Sequence, residues 1–288
     1  MCGICGFVVD NAEGFKISTE REVSADLKIV LSKLLLESKA RGTHSTGVSA
    51  VTTGVSVVTK KEPEIGISKT VARKLEVGLL KKQVSADVFI KDKKFDEFCE
   101  RFLDTNARIV FGHTRFETKG TFANNFNNHP IWSGKVIGVH NGHINNDEEL
   151  WKSTGKVGAR KGKVDSEIIF HLLDRFTERN GGSIRNAIYT ISQNIEGSYA
   201  CAAIHLSKPK YLWLFGRMNP IYLYSVGSLG LKVFASARNF IEKSLASIGL
   251  SPVPDRMAKI QSGTGIRIDA NSGKVKKFNL HTTAVCDH

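Results

Sequence analysis

The chain opens Met1-Cys2-Gly3-Ile4-Cys5-Gly6-Phe7-Val8-Val9. Ile4–Val9 is an apolar run of strand length, and such a run bounded by small residues reads as a buried strand. Cys2 precedes it, between an initiator methionine and the permissive Gly3. Initiator methionine is normally removed when the second residue is small, and cysteine qualifies. Removal would leave Cys2 with a thiol and a free α-amine, whose ordinary pKa of about 7.7 to 8.0 keeps a fraction neutral near pH 7. That amine can act as the base for the thiol of its own residue. A small residue beside a terminus is the plainer reading, and Cys2 alone does not separate the two. Cys2 and Cys5 also form a Cys-x-x-Cys spacing, but Cys99, Cys201 and Cys286 are isolated, so Cys5 reads as a small buried hydrophobe rather than a zinc or redox partner.

Outward from this strand, Asp26–Lys39 reads as a helix, because Leu27, Val30, Leu31, Leu34 and Leu35 share one face. The Val- and Thr-rich stretch Gly47–Lys61 reads as a hairpin about Thr53-Gly54. Residues 62–106 read as a more helical, charged insertion carrying the stripe Phe95, Phe98, Cys99 and Phe102. Strands follow at Ala107–Thr114 and Lys135–Val139, and helices at Ser166–Phe176 and Ser183–Gln193. Further strands are expected at Ser198–Leu206, Tyr211–Phe215, Ile221–Ser225 and Leu231–Ala235. A helix at Phe240–Ile248 and a hairpin over Gly265–Leu280 close the chain. Strands in adjacent pairs and helices in groups do not match the alternating rhythm of a doubly wound parallel sheet. One domain over 2–288 is the simplest organisation.

The composition is globular: 288 residues, 41% hydrophobic and 24% charged. No run reaches the roughly 18 to 20 apolar residues of a membrane span. The N-terminus lacks the basic region of a secretory signal, and five scattered cysteines are no disulfide framework. A cytoplasmic protein is expected. Lys and Arg number 41 against 28 Asp and Glu, a net +13 that favours anionic partners, nucleic acid included. The excess gathers in 60–94, with ten basic residues against five acids, and in 151–163, with five and none. No zinc-finger spacing, RNA-recognition signature or basic zipper accompanies it.

Three later segments carry candidate chemistry. In Phe111-Gly112-His113-Thr114-Arg115, a strand delivers His113, Thr114 and Arg115 to a sheet edge or loop. The Arg115 guanidinium suits a carboxylate, as part of either a substrate site or a structural ion pair. After another strand, His140-Asn141-Gly142-His143 offers a side-chain amide and an unhindered backbone N–H, a possible oxyanion hole; Asn-Gly is equally a common hairpin turn. Asp165, ahead of Ser166-Glu167 and a helix, is well placed as an ordinary N-cap.

Taken in order, Cys2–Gly6, Arg41–Gly47, His113–Arg115, Asn127–Pro130, His140–Gly142 and Asp165–Glu167 resemble the motifs of the class II glutamine amidotransferases. These are the N-terminal-nucleophile hydrolases that include the glutaminase halves of glucosamine-6-phosphate synthase and amidophosphoribosyltransferase. Glu196–Tyr199 and Ser236-Ala237 are similar to the family's second half. The resemblance spans most of 2–250, with 62–106 and 151–163 as insertions. It implies an α+β fold, a four-layer αββα sandwich of two antiparallel sheets. It further implies that Cys2 attacks glutamine to give a γ-glutamyl thioester, that Asn141 and Gly142 hold the oxyanion, and that Arg115 and Asp165 bind the α-carboxylate and α-amine. Thr118 falls at a substrate-pocket position, Arg41 under the site where it would help hold the Asn141 loop, and His113 and Thr114 in support. No metal or organic cofactor is implied.

Phe116 stands where synthase relatives commonly have Trp, and Lys119 where they commonly have His. Only about forty residues follow the family-like region, too few for a fused synthase domain. The expected partners are therefore L-glutamine and a separate ammonia-accepting synthase chain. Two other readings share the fold: an amidohydrolase acting on another γ-glutamyl or amide substrate, and a non-catalytic descendant that binds nucleic acid or protein through its basic surface.

Overall fold

A computed structural model describes residues 1–10, 23–53, 68–72, 75–103, 107–155 and 160–281. Strand alternation decides where each layer of the molecule lies. In β1 (Gly3–Val9), Ile4 and Val8 face one core while Cys5, Phe7 and Val9 face another, the period-two pattern of a strand buried on both sides. β1 sits within an eight-stranded sheet. Its neighbours on one side are β11 (Leu231–Ala235), β10 (Ile221–Val226) and β12 (Ala258–Ile260). On the other lie β5 (Ala107–Arg115), β2 (Ser45–Thr53), β4 (Leu75–Lys82) and β3 (Ser68–Ala72). The second sheet has six strands, in the order β14 (Val275–Asn279), β13 (Thr264–Asp269), β9 (Tyr211–Arg217), β8 (Gly197–His205), β7 (Val136–Ile144), β6 (Ile131–Ser133). Every neighbouring pair in both sheets is antiparallel.

Three apolar layers separate four structural ones. Between the sheets, Ile4, Val8, Ile109 and Phe111 meet Ile137, Val139, Ala202, Leu212 and Leu214. Outside the first sheet, α1 (Val23–Ser38), α2 (Ala86–Phe89), α3 (Lys93–Phe102) and α7 (Arg238–Ala246) cover Cys5, Phe7, Val48 and Val110. Outside the second, α4 (Asp147–Ser153), α5 (Ser166–Arg179) and α6 (Ile184–Asn194) cover Val136, Cys201, Ala203 and Phe215. This is the expected αββα sandwich.

The structure departs from the sequence reading in four places. Only the first half of the expected 47–61 hairpin falls among the described residues, as β2, which pairs with β4 and β5. The 62–106 segment is less helical than its charge suggests, because it supplies β3 and β4 to the first sheet as well as α2 and α3. Its lysines lie among residues that also satisfy strand alternation, with Val77 and Leu80 turned to opposite cores. Strand β7 runs on to Ile144, so His140–His143 pair with β8 instead of forming a turn. Two short strands, β6 and β12, and helix α4 escape a reading based on periodicity, since three to seven residues carry too few apolar positions to show a period.

Helix α3 shows how firmly the 93–102 stripe is built in. Asp92 caps it by accepting from Lys94 N at 2.9 Å, and Phe95, Phe98, Cys99 and Phe102 are all buried against the first sheet. We expect Phe98→Ala to lower unfolding free energy by about 3–5 kcal/mol, measured by urea denaturation, because the cavity forms in a close-packed layer.

Candidate active site

The antiparallel register brings the candidates together. Gly3 pairs with Thr114 and Ile4 with His113, so one step further along both strands Cys2 stands beside Arg115. By alternation, Cys2 lies on the inner face with Ile4, and Arg115 on the inner face with Phe111 and His113. On the facing sheet, Asn141 shares the inner side of β7 with Ile137 and Val139. A hydrogen bond between His113 Nε2 and the His140 carbonyl, 2.9 Å, joins the two sheets here. It sets the residue before Asn141 against the residue two before Arg115.

Cys2 Sγ is half-buried, 3.4 Å from the Phe116 amide that donates to it and 3.5 Å from the Phe116 carbonyl. Burial raises the thiol pKa above its ordinary value of 9.0; the Phe116 amide and the Arg115 charge pull it down, and Asp165 pushes it up. The thiol is therefore protonated at neutral pH and needs a base. A Cβ on Gly3 would come within 2.6 Å of Thr114 Oγ1 and 2.9 Å of Ser38 O, so only glycine lets the strand lie this close to the end of α1. Thr114 Oγ1 donates to that Ser38 carbonyl at 2.7 Å. Cys5 faces the opposite core from Cys2, is a free thiol, and is pushed by burial up to about 12. The Cys-x-x-Cys pair is thus split between two layers.

Arg41 differs from expectation. Its Nη2 donates to Ser236 O at 3.2 Å, with the guanidinium 5.9 Å from the Phe240 ring centre. Ser236 in turn brackets Ile4, accepting from Ile4 N through Oγ at 2.9 Å and donating its own amide to Ile4 O at 2.8 Å. Arg41 therefore braces the strand that follows Cys2, whereas the resemblance implied that it helps hold the Asn141 loop.

Asn141 is buried, and neither its side-chain oxygen nor its nitrogen has a hydrogen-bond partner in the protein. An unpaired buried amide is costly unless something else uses it. Gly142 adopts φ +148°, and a Cβ there would lie 2.0 Å from Ser198 O. Asn219, absent from the sequence reading, holds this corner: its Nδ2 donates to Asn141 O at 3.0 Å and lies 3.4 Å from Ser198 Oγ. It follows Met218, whose φ of +73° is uncommon for a residue with a side chain. Asn219-Pro220 in a loop gave no periodic or motif signal by which to find it.

Asp165 is not an ordinary N-cap. Its carboxylate makes no capping hydrogen bond to α5; instead Oδ2 accepts from Ile144 N at 2.8 Å and lies 3.7 Å from His143 Nδ1. Oδ1 has only a long contact, 3.4 Å from Ser166 Oγ. Arg115 is buried and more fully engaged than its motif implied. Nη1 donates to Asn128 Oδ1 at 2.9 Å, and Nη2 to the Lys119 carbonyl at 2.8 Å and to Gly120 O. Nη1 retains a second hydrogen. Burial lowers the Arg115 pKa, and nearby Cys2, Glu117 and Asp165 offset part of that.

The loop after Arg115 is tied to the second sheet's helices. Lys119 Nζ contacts both Asp147 oxygens at 2.7 Å and Glu148 at 3.1 Å, and Arg160 joins the same two acids at 3.4 and 2.8 Å. Thr118 lies exposed beside Lys119. Phe116 is exposed and stacks on His44, centroids 5.2 Å apart, so it keeps the aromatic contact surface expected at its position. Glu167 accepts from Lys161 N and Gly162 N at 2.9 and 2.8 Å, holding 160–163 against α5.

A cysteine at position 2, an unpaired buried amide, and one cation and one anion thus gather at one end of the αββα sandwich. The glutamine amidotransferase domain family matches residues 113–243. The glutamine–fructose-6-phosphate aminotransferase of Chlamydia pneumoniae is 30% identical over 77% of this chain and 30% of its own length. That of Sulfolobus acidocaldarius is 33% identical over 55% of this chain and 25% of its own. The B. subtilis glutamine phosphoribosylpyrophosphate amidotransferase superposes over 99% of this chain and 50% of its own, with TM-score 0.62 and 15% identity, a likeness of fold. The chain belongs to the class II glutamine amidotransferases. It spans a third or less of the length of these curated relatives. Nothing in these likenesses supports the nucleic-acid partner that the net charge left open. No helix among the described residues is long and apolar enough to cross a membrane.

Behind the site, His113 stacks on His129 with centroids 4.1 Å apart, and His140 lies 6.5 Å beyond. Burial lowers all three pKa values, that of His113 to about 3; repulsion from histidine neighbours adds to the effect at His113 and His129, while Asp165 offsets part of it at His140. Unfolded histidines protonate near 6.5, so below that pH the unfolded chain binds more protons and stability falls. Urea unfolding between about pH 7 and pH 5 should show this loss, up to about 1.4 kcal/mol per histidine per pH unit, and His129→Phe should flatten the slope. At the Asn141–Gly142 corner, Asn219→Ala should lower kcat for ammonia release from L-glutamine by about tenfold with little change in KM, since it frees the Asn141 backbone that Asn219 holds.

Proposed function

We propose that this chain hydrolyses the side-chain amide of L-glutamine through a Cys2 thioester and delivers the ammonia to a synthase domain or subunit. The observation that carries the reading is the meeting of Cys2 and Arg115 at the end of the β1–β5 pair with Asn141 on the facing strand β7 and Asp165 at the start of α5 beside the end of β7, with the Asn141 amide buried and unpaired. Free glutamine is a zwitterion, and one cation with one anion matches its two ends. Arg115 takes the α-carboxylate and Asp165 the α-amine. Lys119 and Thr118 form the rim over them, while Arg41, His113 and Thr114 brace the strands beneath.

In this scheme Met1 is removed first. It is 72% exposed, within reach of an aminopeptidase. The Cys2 α-amine then takes the thiol proton, and Sγ attacks the glutamine carboxamide carbon. The Asn141 side chain and the Gly142 N–H stabilise the oxyanion. Collapse breaks the C–N bond, the ammonium group returns its proton to the leaving nitrogen, and ammonia departs. Water, deprotonated by the same amine, cleaves the thioester to glutamate and restores the thiol. The raised thiol pKa makes such an adjacent base necessary. Residues 2–288 act as one domain in this reading, since strands from both ends of the chain share the first sheet. The domain works in the cytoplasm, where the cysteines found free stay reduced. No metal or organic cofactor takes part.

Ammonia release from L-glutamine tests the proposal. Cys2→Ala should abolish it, and Asn141→Ala should lower kcat by roughly a hundredfold to a thousandfold. Asp165→Asn should act mainly on KM, by roughly 30-fold or more. Intact mass of the active protein should show Met1 gone; activity with Met1 wholly retained would exclude the amine as base.

A further inference from the structure

A cavity of about 660 Å³ opens on the outer face of the second sheet, in a part of the molecule the glutamine chemistry does not use. It is framed by the start of α6, the β8–β9 turn, and the exposed side of β9 and β13. Strand β8 has Gly197 at the oxyanion end and His205 at the cavity end, eight residues apart and so roughly 26 Å. The cavity is therefore separate from the Cys2 site.

Its lining includes Arg185, Lys208, Lys210 and Arg267, and no acidic residue. Register places Arg267 directly across from Trp213, with its guanidinium carbon 4.4 Å from the Tyr211 ring centre and 6.0 Å from that of Trp213. Lys210 Nζ lies 4.9 Å from the same tyrosine. These ring contacts orient both cations, and the one on Arg267 does so without neutralising it. Arg267 has no carboxylate partner among the described residues; Lys208 donates to the Gly182 carbonyl at 2.9 Å, and Lys210 lies 3.6 Å from Asp269 just outside the rim. Ile184, Pro209 and Trp213 supply apolar wall between the charges.

We propose that this cavity binds the phosphate group of a small phosphorylated metabolite, a nucleotide or a sugar phosphate. A guanidinium held over a tyrosine ring keeps its donors in a planar fork, and that fork matches two oxygens of a phosphate. Two flexible lysines complement it as point charges. The volume lies within the roughly 300–1,000 Å³ of small-molecule sites, and the apolar wall gives the organic part of the ligand a surface that a bare ion would not use.

Isothermal titration of the intact chain with inorganic pyrophosphate, ADP, glucose 6-phosphate and unphosphorylated glucose tests the assignment. Saturable binding of the phosphorylated probes and none of glucose is the expected result. Tighter binding of ADP than of pyrophosphate would name a nucleotide, and of glucose 6-phosphate a sugar phosphate. Arg267→Gln should weaken binding by about tenfold, with Arg267→Lys intermediate and both variants folded by circular dichroism. Absence of saturable binding to every phosphorylated probe, or affinity unchanged in Arg267→Gln, would overturn the proposal. Neither outcome bears on glutamine hydrolysis, because binding is read without it.

Discussion

The molecule depends on the antiparallel pairing of β1 with β5. That register alone sets Cys2 at the end of Arg115, and it is available only because Gly3 carries no side chain against Thr114 and Ser38. A slip of one residue would turn Cys2 to the helix side of the sheet and bring Cys5 to the inner face. Ser236, holding Ile4 by two hydrogen bonds and itself held by Arg41, resists that slip. The proposed glutaminase chemistry thus begins as a constraint on strand register.

Burial then makes the site's electrostatics consequential. The same enclosure that raises the Cys2 thiol lowers Arg115 and strips three histidines of charge. Neutral histidines stack and hydrogen-bond across the sheet interface; protonated ones at 4.1 Å would repel. The inter-sheet bond from His113 to the His140 carbonyl consequently works as a structural pin. It aligns the sheet end beside Cys2 with the strand that carries Asn141.

Much of the fold was legible from residues alone. The apolar periods of α1, α5, α6 and α7 and the paired strands of both sheets follow from local patterning, as does the stripe on α3. The ordered motifs located Cys2, Arg115, Asn141, Gly142 and Asp165. What they could not resolve was how each side chain would be engaged. Asp165 has the spacing of a helix cap, yet it turns to the Ile144 amide, because β7 ends beside it. Asn141-Gly142 has the composition of a turn, but its strand continues because β8 supplies partners as far as Gly197.

The sequence by itself determined the chemical inventory and the faces: a cysteine that can become N-terminal, alternation that turns it inward, and a basic surplus of 13 charges. Only the tertiary structure decided who meets whom. Arg41 went to Ser236, Lys119 to Asp147 and Glu148, Asn219 to the Asn141 carbonyl, and Arg267 to a pair of aromatic rings. These contacts join residues far apart in the chain through sheet register and layer packing. Local propensity carries no information about either, since both are set by which strands lie side by side.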